Sequence, residues 1–359
     1  MAAAPEGSVV GWGSLGWPSD QSSLQPLRGQ VIFSDTTAIS AGLGHVLALR
    51  KDGTVAALGW NSNGQTEVPT GLGKVVAIAA GGAHSAALKE DGTVVVWGRD
   101  HQGQPLSVPA GLNRVKAISA GGTFTLALKA DGTVVAWGDS FFGPVPTPPS
   151  DLGGVIAISM GGAHGVGITN ERRVVAWGDV SAGQTSVPGW LKGVTGVASG
   201  GLLTLAVQGD GTVVVWGHSD FGVTRPPLGL NGVTAVAAGW GHAAALKSEG
   251  SVVAWGFNDF GQASVPADLS EVTAIAAGGQ FTVALVGVPV PPPLRMLSPA
   301  PDVVVSWPLS AAGYSLQISD TLDAAHWEPG PVLTTVEDGW HRVSVSVPGD
   351  SRYLRLSRP

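Results

Sequence analysis

The chain has 359 residues, with 54 glycines, 25 prolines and no cysteine, which rules out disulfides and thiol chemistry. Only 13% of the residues are charged and the formal net charge is −7. This argues against nucleic acid as the main partner, because neutralising a phosphate backbone needs clustered Lys and Arg. No run of 18 apolar residues occurs, so no membrane span is expected. The opening Met1-Ala-Ala-Ala-Pro-Glu-Gly7 lacks the basic and apolar regions of a signal peptide. Low charge and an abundance of Thr, Ser, Gly and Val favour an extracellular or periplasmic protein whose leader has been removed, with the cytoplasm as the alternative.

The first recognisable element is Ser8-Val-Val-Gly-Trp12-Gly13, a short apolar strand ending in Trp-Gly. The Trp-Gly dipeptide returns at Trp97, Trp137, Trp177, Trp216 and Trp255, and Leu58-Gly59 fills the missing place. From Leu58 onward the spacings are 39, 40, 40, 39 and 39 residues, the mark of a repeat architecture. The step from Trp12 to Leu58 is longer, 46 residues, and residues 14–36 are expected to be a slack connecting loop.

The second full repeat shows the internal logic. Ala77-Ile-Ala-Ala80 is a short strand of small residues, and Gly81-Gly82 is a turn. His84 to Lys89 alternates and forms a second strand. Asp91-Gly92 is a hairpin signal, since such turns need residues that tolerate positive φ. Thr93 to Trp97 is continuously apolar and is expected to be buried on both faces. Gly98 to Gln104 is a loop, and a short outer strand is expected before Val108-Pro109. Three or four antiparallel strands every 40 residues describe a β-propeller blade.

The first-strand motif begins near Ala38, Ala77, Ala117, Ala157, Gly196, Ala235 and Ala274, seven copies in all. The last repeat, Val272 to Val286, lacks a third strand, whereas residues 7–13 are a third strand lacking the other two. These complementary halves predict an all-β, seven-bladed propeller spanning residues 1–289, its last blade closed by residues 7–13. An open solenoid is the alternative. In the fourth repeat Asn170-Glu-Arg-Arg173 replaces Asp-Gly, so a different turn is expected there. A Pro-rich linker follows at 290–300, and residues 301–359 are expected to form a small β-sandwich-like module with strands at Val303–Trp307, Tyr314–Ile318, Val343–Val347 and Tyr353–Leu356.

The pattern Gly-Gly-x-His-x-x-Ala-Leu-Lys-x-Asp-Gly-x-Val-x-x-Trp-Gly-x-x-x-x-Gly-Gln, at Gly81–Gln104 and with changes at Gly239–Gln262, resembles the regulator of chromosome condensation repeat. The short period and the endings Thr185-Ser-Val-Pro188 and Ala263-Ser-Val-Pro266 resemble bacterial members, among them propeller-type β-lactamase inhibitory proteins. The resemblance covers about residues 7–289 and implies the propeller fold, with inhibition of a β-lactamase-like enzyme as the role of the nearest members. The inhibitory proteins use aromatic residues in the turn after the first strand, where this chain has only Trp240. The eukaryotic members imply nucleotide exchange on a small GTPase as another possible role. The C-terminal arrangement of Trp307, Tyr314, Trp327 and Tyr353 resembles small fibronectin-type-III-like modules.

No Ser-His-Asp arrangement, carboxylate pair or nucleophile motif stands in a credible context, so no catalytic residue, cofactor or enzyme activity is expected. One column reads His45, His84, Phe124, His164, Leu203, His242 and Phe281. Apolar substitutes in a ligand column argue against a metal site. The histidines are expected to be packed, with ring nitrogens bonded to neighbouring backbone. The tryptophan column is expected to pack between blades, and Asp52, Asp91, Asp131 and Asp210 to shape hairpins.

Strand alternation puts the Gly-Gly turns and the loops after Trp-Gly at one end of the ring. That end carries Trp17, Trp60, His101, Phe141, Phe142, Phe221, Trp240, Phe257 and Phe260, among Asp100, Asp139, Asp179, Asp220 and Asp259. The other end carries Arg50, Lys51, Lys89, Lys129 and Lys247. Large aromatics in variable loops form a candidate partner-binding surface; folding inward to cap the channel is the alternative. The expected partner is a protein bound by a monomer, with carbohydrate or cell-wall binding as the rival class.

Overall fold

The computed structural model describes residues 7–16, 25–100, 102, 104, 106–138 and 145–287, together with seven strand segments between residues 295 and 357. The first two strands are β1 (Ser8–Leu15) and β2 (Gln25–Phe33). Six three-stranded antiparallel sheets follow in chain order. Blade one is β3–β5 (Thr36–Ala41, His45–Arg50, Val55–Gly59) and blade two is β6–β8 (Val75–Ala80, His84–Lys89, Val94–Gly98). Blade three is β9–β11 (Val115–Gly121, Phe124–Lys129, Val134–Gly138) and blade four is β12–β14 (Val155–Met160, His164–Thr169, Val174–Gly178). Blade five is β15–β17 (Val194–Ser199, Leu203–Gln208, Val213–Gly217) and blade six is β18–β20 (Val233–Ala238, His242–Lys247, Val252–Gly256). Blade seven takes β21 and β22 (Val272–Ala277, Phe281–Val286) and completes itself with β1.

Closure follows from the complementary half-repeats. β1 pairs antiparallel with β22 over Ser8↔Val286 to Gly13↔Phe281, the place a third strand holds in other blades. β21 and β22 also pack on β3 of blade one, so the array is a closed ring and not a solenoid. The connection at 14–36 is not slack throughout. Its β2 pairs with β1 from Val9↔Phe33 to Leu15↔Gln25, giving the closing blade a fourth, outer strand. The alternation in Gln-Pro-Leu-Arg-Gly-Gln-Val-Ile-Phe is weak, with only Leu27 buried, which is why the stretch does not read as a strand. The outer strand expected before Val108-Pro109 is absent among the described residues there.

There is no single core. Each hydrophobic cluster lies between neighbouring blades, as where Leu47 and Leu49 of blade one meet Val75, Ala87 and Trp97 of blade two. Blade seven joins blade one through Phe281, Val283 and Val46 in the same way. The middle strand of each blade is therefore the buried one: His84 to Leu88 are all buried. The third strand, expected to be buried on both faces, is an edge strand and half-buried, with only Trp97 of Val94–Gly98 fully covered. Its apolar run serves packing between blades rather than enclosure within a sheet.

The Asp-Gly hairpins are Asx turns. Asp91 Oδ1 accepts hydrogen bonds from the Thr93 amide (3.0 Å) and the Thr93 hydroxyl (2.6 Å), and Gly92 takes φ 79°. The fourth repeat keeps this turn in spite of its different residues. Arg172 stands at φ 60° in the glycine position, and its amide donates to Thr169 O at 2.9 Å, as Gly92 does to Lys89 O. An arginine there carries left-handed strain of about 1–2 kcal/mol.

Residues 289–359 form a separate unit. One sheet has the order β23-β24-β28-β27 (Arg295–Met296, Asp302–Pro308, Trp340–Ser346, Thr335–Glu337) and another β26-β25-β29 (Glu328–Pro329, Ser315–Ser319, Tyr353–Ser357). Part of the expected linker, Arg295–Met296, is thus paired, to Ser306 and Val305.

Two outcomes test this architecture. Deleting residues 1–16 uncovers the β22 edge and removes the buried Trp12, and should lower Tm sharply or cause aggregation; an unchanged melting curve would disprove closure by β1. Arg172→Gly should stabilise the protein by about 0.5–1 kcal/mol in denaturant titrations, the strain relief being partly offset by glycine's unfolded-state entropy.

Candidate partner-binding face

The histidine column is the deepest polar feature. His45, His84, His164 and His242 are buried, and each Nε2 lies 2.9 Å from a hydroxyl on the middle strand of the next blade: Ser85, Thr125, Thr204 and Thr282. The partner is thus a side chain across the blade boundary, not the neighbouring backbone. Ser85 Oγ in turn donates to Gln65 O at 2.8 Å, and Trp97 Nε1 donates to the same carbonyl at 2.9 Å. Thr204 and Trp216 converge likewise on Gln184 O, and Thr282 and Trp12 on Gln262 O. Since each of these hydroxyl protons is committed to a carbonyl, the rings of His45, His164 and His242 must donate Nε2–H. The same glutamine holds its loop by its side chain: Gln65 Oε1 accepts from Asn63 N, Gln184 Oε1 from Ala182 N and Gln262 Oε1 from Phe260 N.

The cassette is replaced as a unit. Where the column holds Phe124, Leu203 or Phe281, the next blade holds Gly165, Ala243 or Val46 in place of the hydroxyl. The tryptophan bond survives with a different acceptor: Trp177 Nε1 donates to Pro146 O and Trp255 Nε1 to Val223 O. The first glycine of the Gly-Gly turn has its reason here too. A Cβ at Gly81 would collide with the His84 ring, so space rather than φ requires it.

Burial keeps these histidines neutral. Their pKa values fall to about 3 for His45, helped by nearby His84, and to about 4 for His84, His164 and His242. Among the described residues no group of three or more His, Asp or Glu is placed to hold a metal ion.

Above this framework the turns after each first strand and the loops after each third strand share one end, as expected. The amides of Trp60, Asp179, His218 and Phe257 donate to Gly44, Ala163, Leu202 and Gly241 carbonyls of those turns. A cavity of about 270 Å³ opens on the ring axis, lined from all seven blades by Gly-Gly turns with Leu43, Met160, Asp179, Leu202 and Trp240.

Three of the nine candidate aromatic and histidine residues come together on blades five and six, and Trp240 lies on the same two blades. Phe221 packs on Phe257 with ring centroids 4.6 Å apart, and Phe257 meets Phe260 edge-on at 6.0 Å. Gly241 lies against Phe257 and Phe221, and the neighbouring Trp240 indole lies over Gly201 of blade five, at the cavity. Trp240 therefore both borders the channel and remains 47% exposed, and Phe221 is 62% exposed. Phe221 also takes φ 58°, an unfavourable conformation for an aromatic residue, in a 3-10 turn at Asp220–Gly222. Trp60 is half-buried on blade one, apart from this group, beside the Gly44 turn. Trp17, His101, Phe141 and Phe142 lie outside the described residues. Val180, 70% exposed in the blade-four loop, belongs to this end and carries no aromatic signal in the sequence.

Asp179 is partly buried, which opposes ionisation, yet hydrogen bonds from Ser181 and Gln184 outweigh this and hold its pKa below the usual value. Asp220 sits 3.2 Å from His218. At the hairpin end Lys89, Lys129 and Lys247 are held by Asp91, Asp131 and Glu249 of their own hairpins at 3.2, 3.5 and 2.8 Å.

The regulator of chromosome condensation (RCC1) repeat family matches residues 37–65, 75–104, 115–143 and 233–262. Each of these four segments is similar to that repeat. Blades four, five and seven have the same strands, though four lacks Asp-Gly and seven is completed from the other end of the propeller sequence. No curated protein matches the chain significantly in sequence. Among solved structures, Prp20p from Saccharomyces cerevisiae, studied for its binding to Gsp1p and histones, superposes with TM-score 0.61 at 19% identity, covering 79% of this chain and 92% of its own. Human WBSCR16 gives 0.62 at 18%, covering 78% and 98%. The ectodomain of the Arabidopsis thaliana receptor kinase ACR4 gives 0.55 at 22%, covering 70% and 94%. At these identities the likeness to RCC1-type propellers is one of fold.

The buried cassette makes stability depend on pH. Each cassette histidine is neutral when folded but titrates near 6.5 when unfolded, so between pH 6.5 and 4 unfolding takes up protons and stability falls as pH falls. The slope is about 1.4 kcal/mol per pH unit for each histidine fully in this window. The double change His164→Phe with Thr204→Ala should flatten the slope by one such share in denaturant titrations between pH 6 and 4.5. Thr204→Ala alone should cost about 1–3 kcal/mol, because it orphans a buried Nε2–H, and the added His164→Phe should recover part of that loss.

Proposed function

We propose that the protein is a non-enzymatic binding propeller that recognises a protein partner through its loop-bearing end, with Phe221, Phe257, Phe260 and Trp240 as anchors. The observation that carries this reading is the aromatic ridge across blades five and six. Phe221 and Phe257 touch across separate loops, Phe260 joins them, all stay partly open to solvent, and Phe221 holds a conformation that aromatic residues seldom adopt. Aromatic clusters of this kind dominate interface energetics. Fold relatives fit such a role: Prp20p is described as binding Gsp1p and histones, and a yeast RCC1 structure has Kap60 bound. The scarcity of aromatics in the turns after the first strands argues against the β-lactamase-inhibitor version. A carbohydrate ligand stacking on Trp240 beside the axial cavity is the second reading, favoured by the exposed indole at that rim. The C-terminal unit we read as a fibronectin-type-III-like module, a reading supported by its sheets of four and three strands.

The test is capture from the native organism on the immobilised full chain, followed by titration of the recovered partner and by a glycan-array screen. Phe221→Ala and Phe260→Ala should each weaken partner binding by about 2 kcal/mol while leaving Tm unchanged. Lys89→Ala and Lys129→Ala, at the opposite end, should alter neither. Loss of binding in the lysine variants alone would place the interface at the wrong end. A glycan hit abolished by Trp240→Ala would favour the second reading.

A further inference from the structure

The hairpin end of the ring is quiet except beside blade five. Five of the linkers entering a blade there close a turn in which a leucine amide donates to the oxygen of a proline three residues earlier: Leu112 to Pro109, Leu152 to Pro149, Leu191 to Pro188, Leu230 to Pro227 and Leu269 to Pro266. The two residues at the apex are Ala110-Gly111, Ser150-Asp151 and Ala267-Asp268 in three of them. In the linkers entering blades five and six they are Gly189-Trp190 and Leu228-Gly229, with Trp190 64% exposed and Leu228 fully exposed. The repeat framework asks for neither residue, since the buried anchor of the Trp190 turn is the following Leu191.

Backbone bonds tie both linkers to one hairpin. The blade-five hairpin joins both linkers: Gly209 N donates to Gly193 O, three residues after Trp190, and Val233 N donates to Gly211 O, five residues after Leu228. Trp190 and Leu228 therefore flank a single hairpin. Exposed cations stand near them along the chain or on the next hairpin. Lys192 follows Trp190, Arg225 precedes Leu228, and Arg172 at the blade-four hairpin accepts the Val194 amide through its carbonyl at 3.0 Å. Arg173 is paired with Glu171 at 3.5 Å, and Asp210 is bonded within its own hairpin. The patch is thus basic on a chain of net charge −7.

We propose that this patch is a membrane-surface contact, in which Trp190 and Leu228 insert among the headgroups of an anionic bilayer while Arg172, Lys192 and Arg225 meet the lipid phosphates. Two features select lipid over a protein partner. The apolar side chains stand on the tips of tight turns, not in a groove, so they suit a soft phase that closes around them. Tryptophan flanked by Lys and Arg is also the side-chain chemistry of the bilayer interface, where the indole sits at headgroup depth and the cations meet anionic lipid. This contact is independent of the partner-binding end and leaves that end facing away from the bilayer.

The experiment is co-sedimentation of the full chain with vesicles of phosphatidylserine and phosphatidylcholine, and with vesicles of phosphatidylcholine alone. The expected result is binding to the anionic vesicles only, weakened by salt. Trp190→Ser with Leu228→Ser should lower the affinity at least about tenfold with Tm unchanged, Arg225→Glu should lower it further, and Phe221→Ala should leave it intact. No binding to anionic vesicles, equal binding by the Ser/Ser variant, or a concentration-dependent dimer that the Ser/Ser variant abolishes would each overturn the proposal, the last by making the patch a contact between copies of this chain.

Discussion

The structure depends on a loop carbonyl oxygen that receives an indole N–H at five of the blade boundaries. The ring has no common core, so each blade must be fixed to the next by what crosses the gap between them. A loop carbonyl accepts the indole N–H of the following blade, and at Gln65, Gln184 and Gln262 it also accepts a hydroxyl that a histidine of the preceding blade supports. Buried polar groups are costly unless fully bonded, so the parts of this relay cannot vary separately. Histidine, hydroxyl and glutamine occur together, or apolar residues replace the first two; another linker carbonyl then serves the indole, except beside blade one, where Leu58 replaces the tryptophan itself.

That coupling shows how much the sequence makes legible. Period, blade number and closure can be read directly, because every blade has to repeat the same strands. The histidine column can be read as structural from its apolar substitutes. Its partner could have been found as well: Ser85, Thr204 and Thr282 stand one place after the column, and they are Gly165, Ala243 and Val46 only where the preceding repeat lacks histidine. Comparing adjacent repeats, rather than stacking all of them, reveals the pairing. Other features could not be read. The β2 strand is assembled by its place beside β1, not by its own pattern. Arg172 adopts a glycine conformation because the flanking strands impose the turn whatever residue fills it. The third strands look like central strands because packing against a neighbouring blade and enclosure within a sheet call for the same apolar residues.

The binding end is legible only in outline. Strand direction places the loops correctly, but contact between Phe221, Phe257 and Phe260 depends on the depth and tilt of two loops, which no spacing encodes. The framework reaches into this surface at one point. Gln262, whose carbonyl joins blades six and seven, also holds the Phe260 amide through its side chain. The posture of an anchor aromatic is therefore set by the same residue that ties the blades together.

The pairing of Ser8–Gly13 with Phe281–Val286 has a consequence for the life of the chain before it is folded. Blades one to six can form as their residues leave the ribosome, since their strands are neighbours in sequence. Blade seven cannot, because its partner strands are separated by nearly the whole propeller, and such long-range pairing is slow and exposed to aggregation. During synthesis β1 and β2 would wait as a pair with both edges open, the β1 edge until β22 arrives and the β2 edge for good. The arginine in β2, the proline near its start and the glycine at its centre discourage that permanent edge from recruiting another chain, while the β1 edge has no such guard before closure.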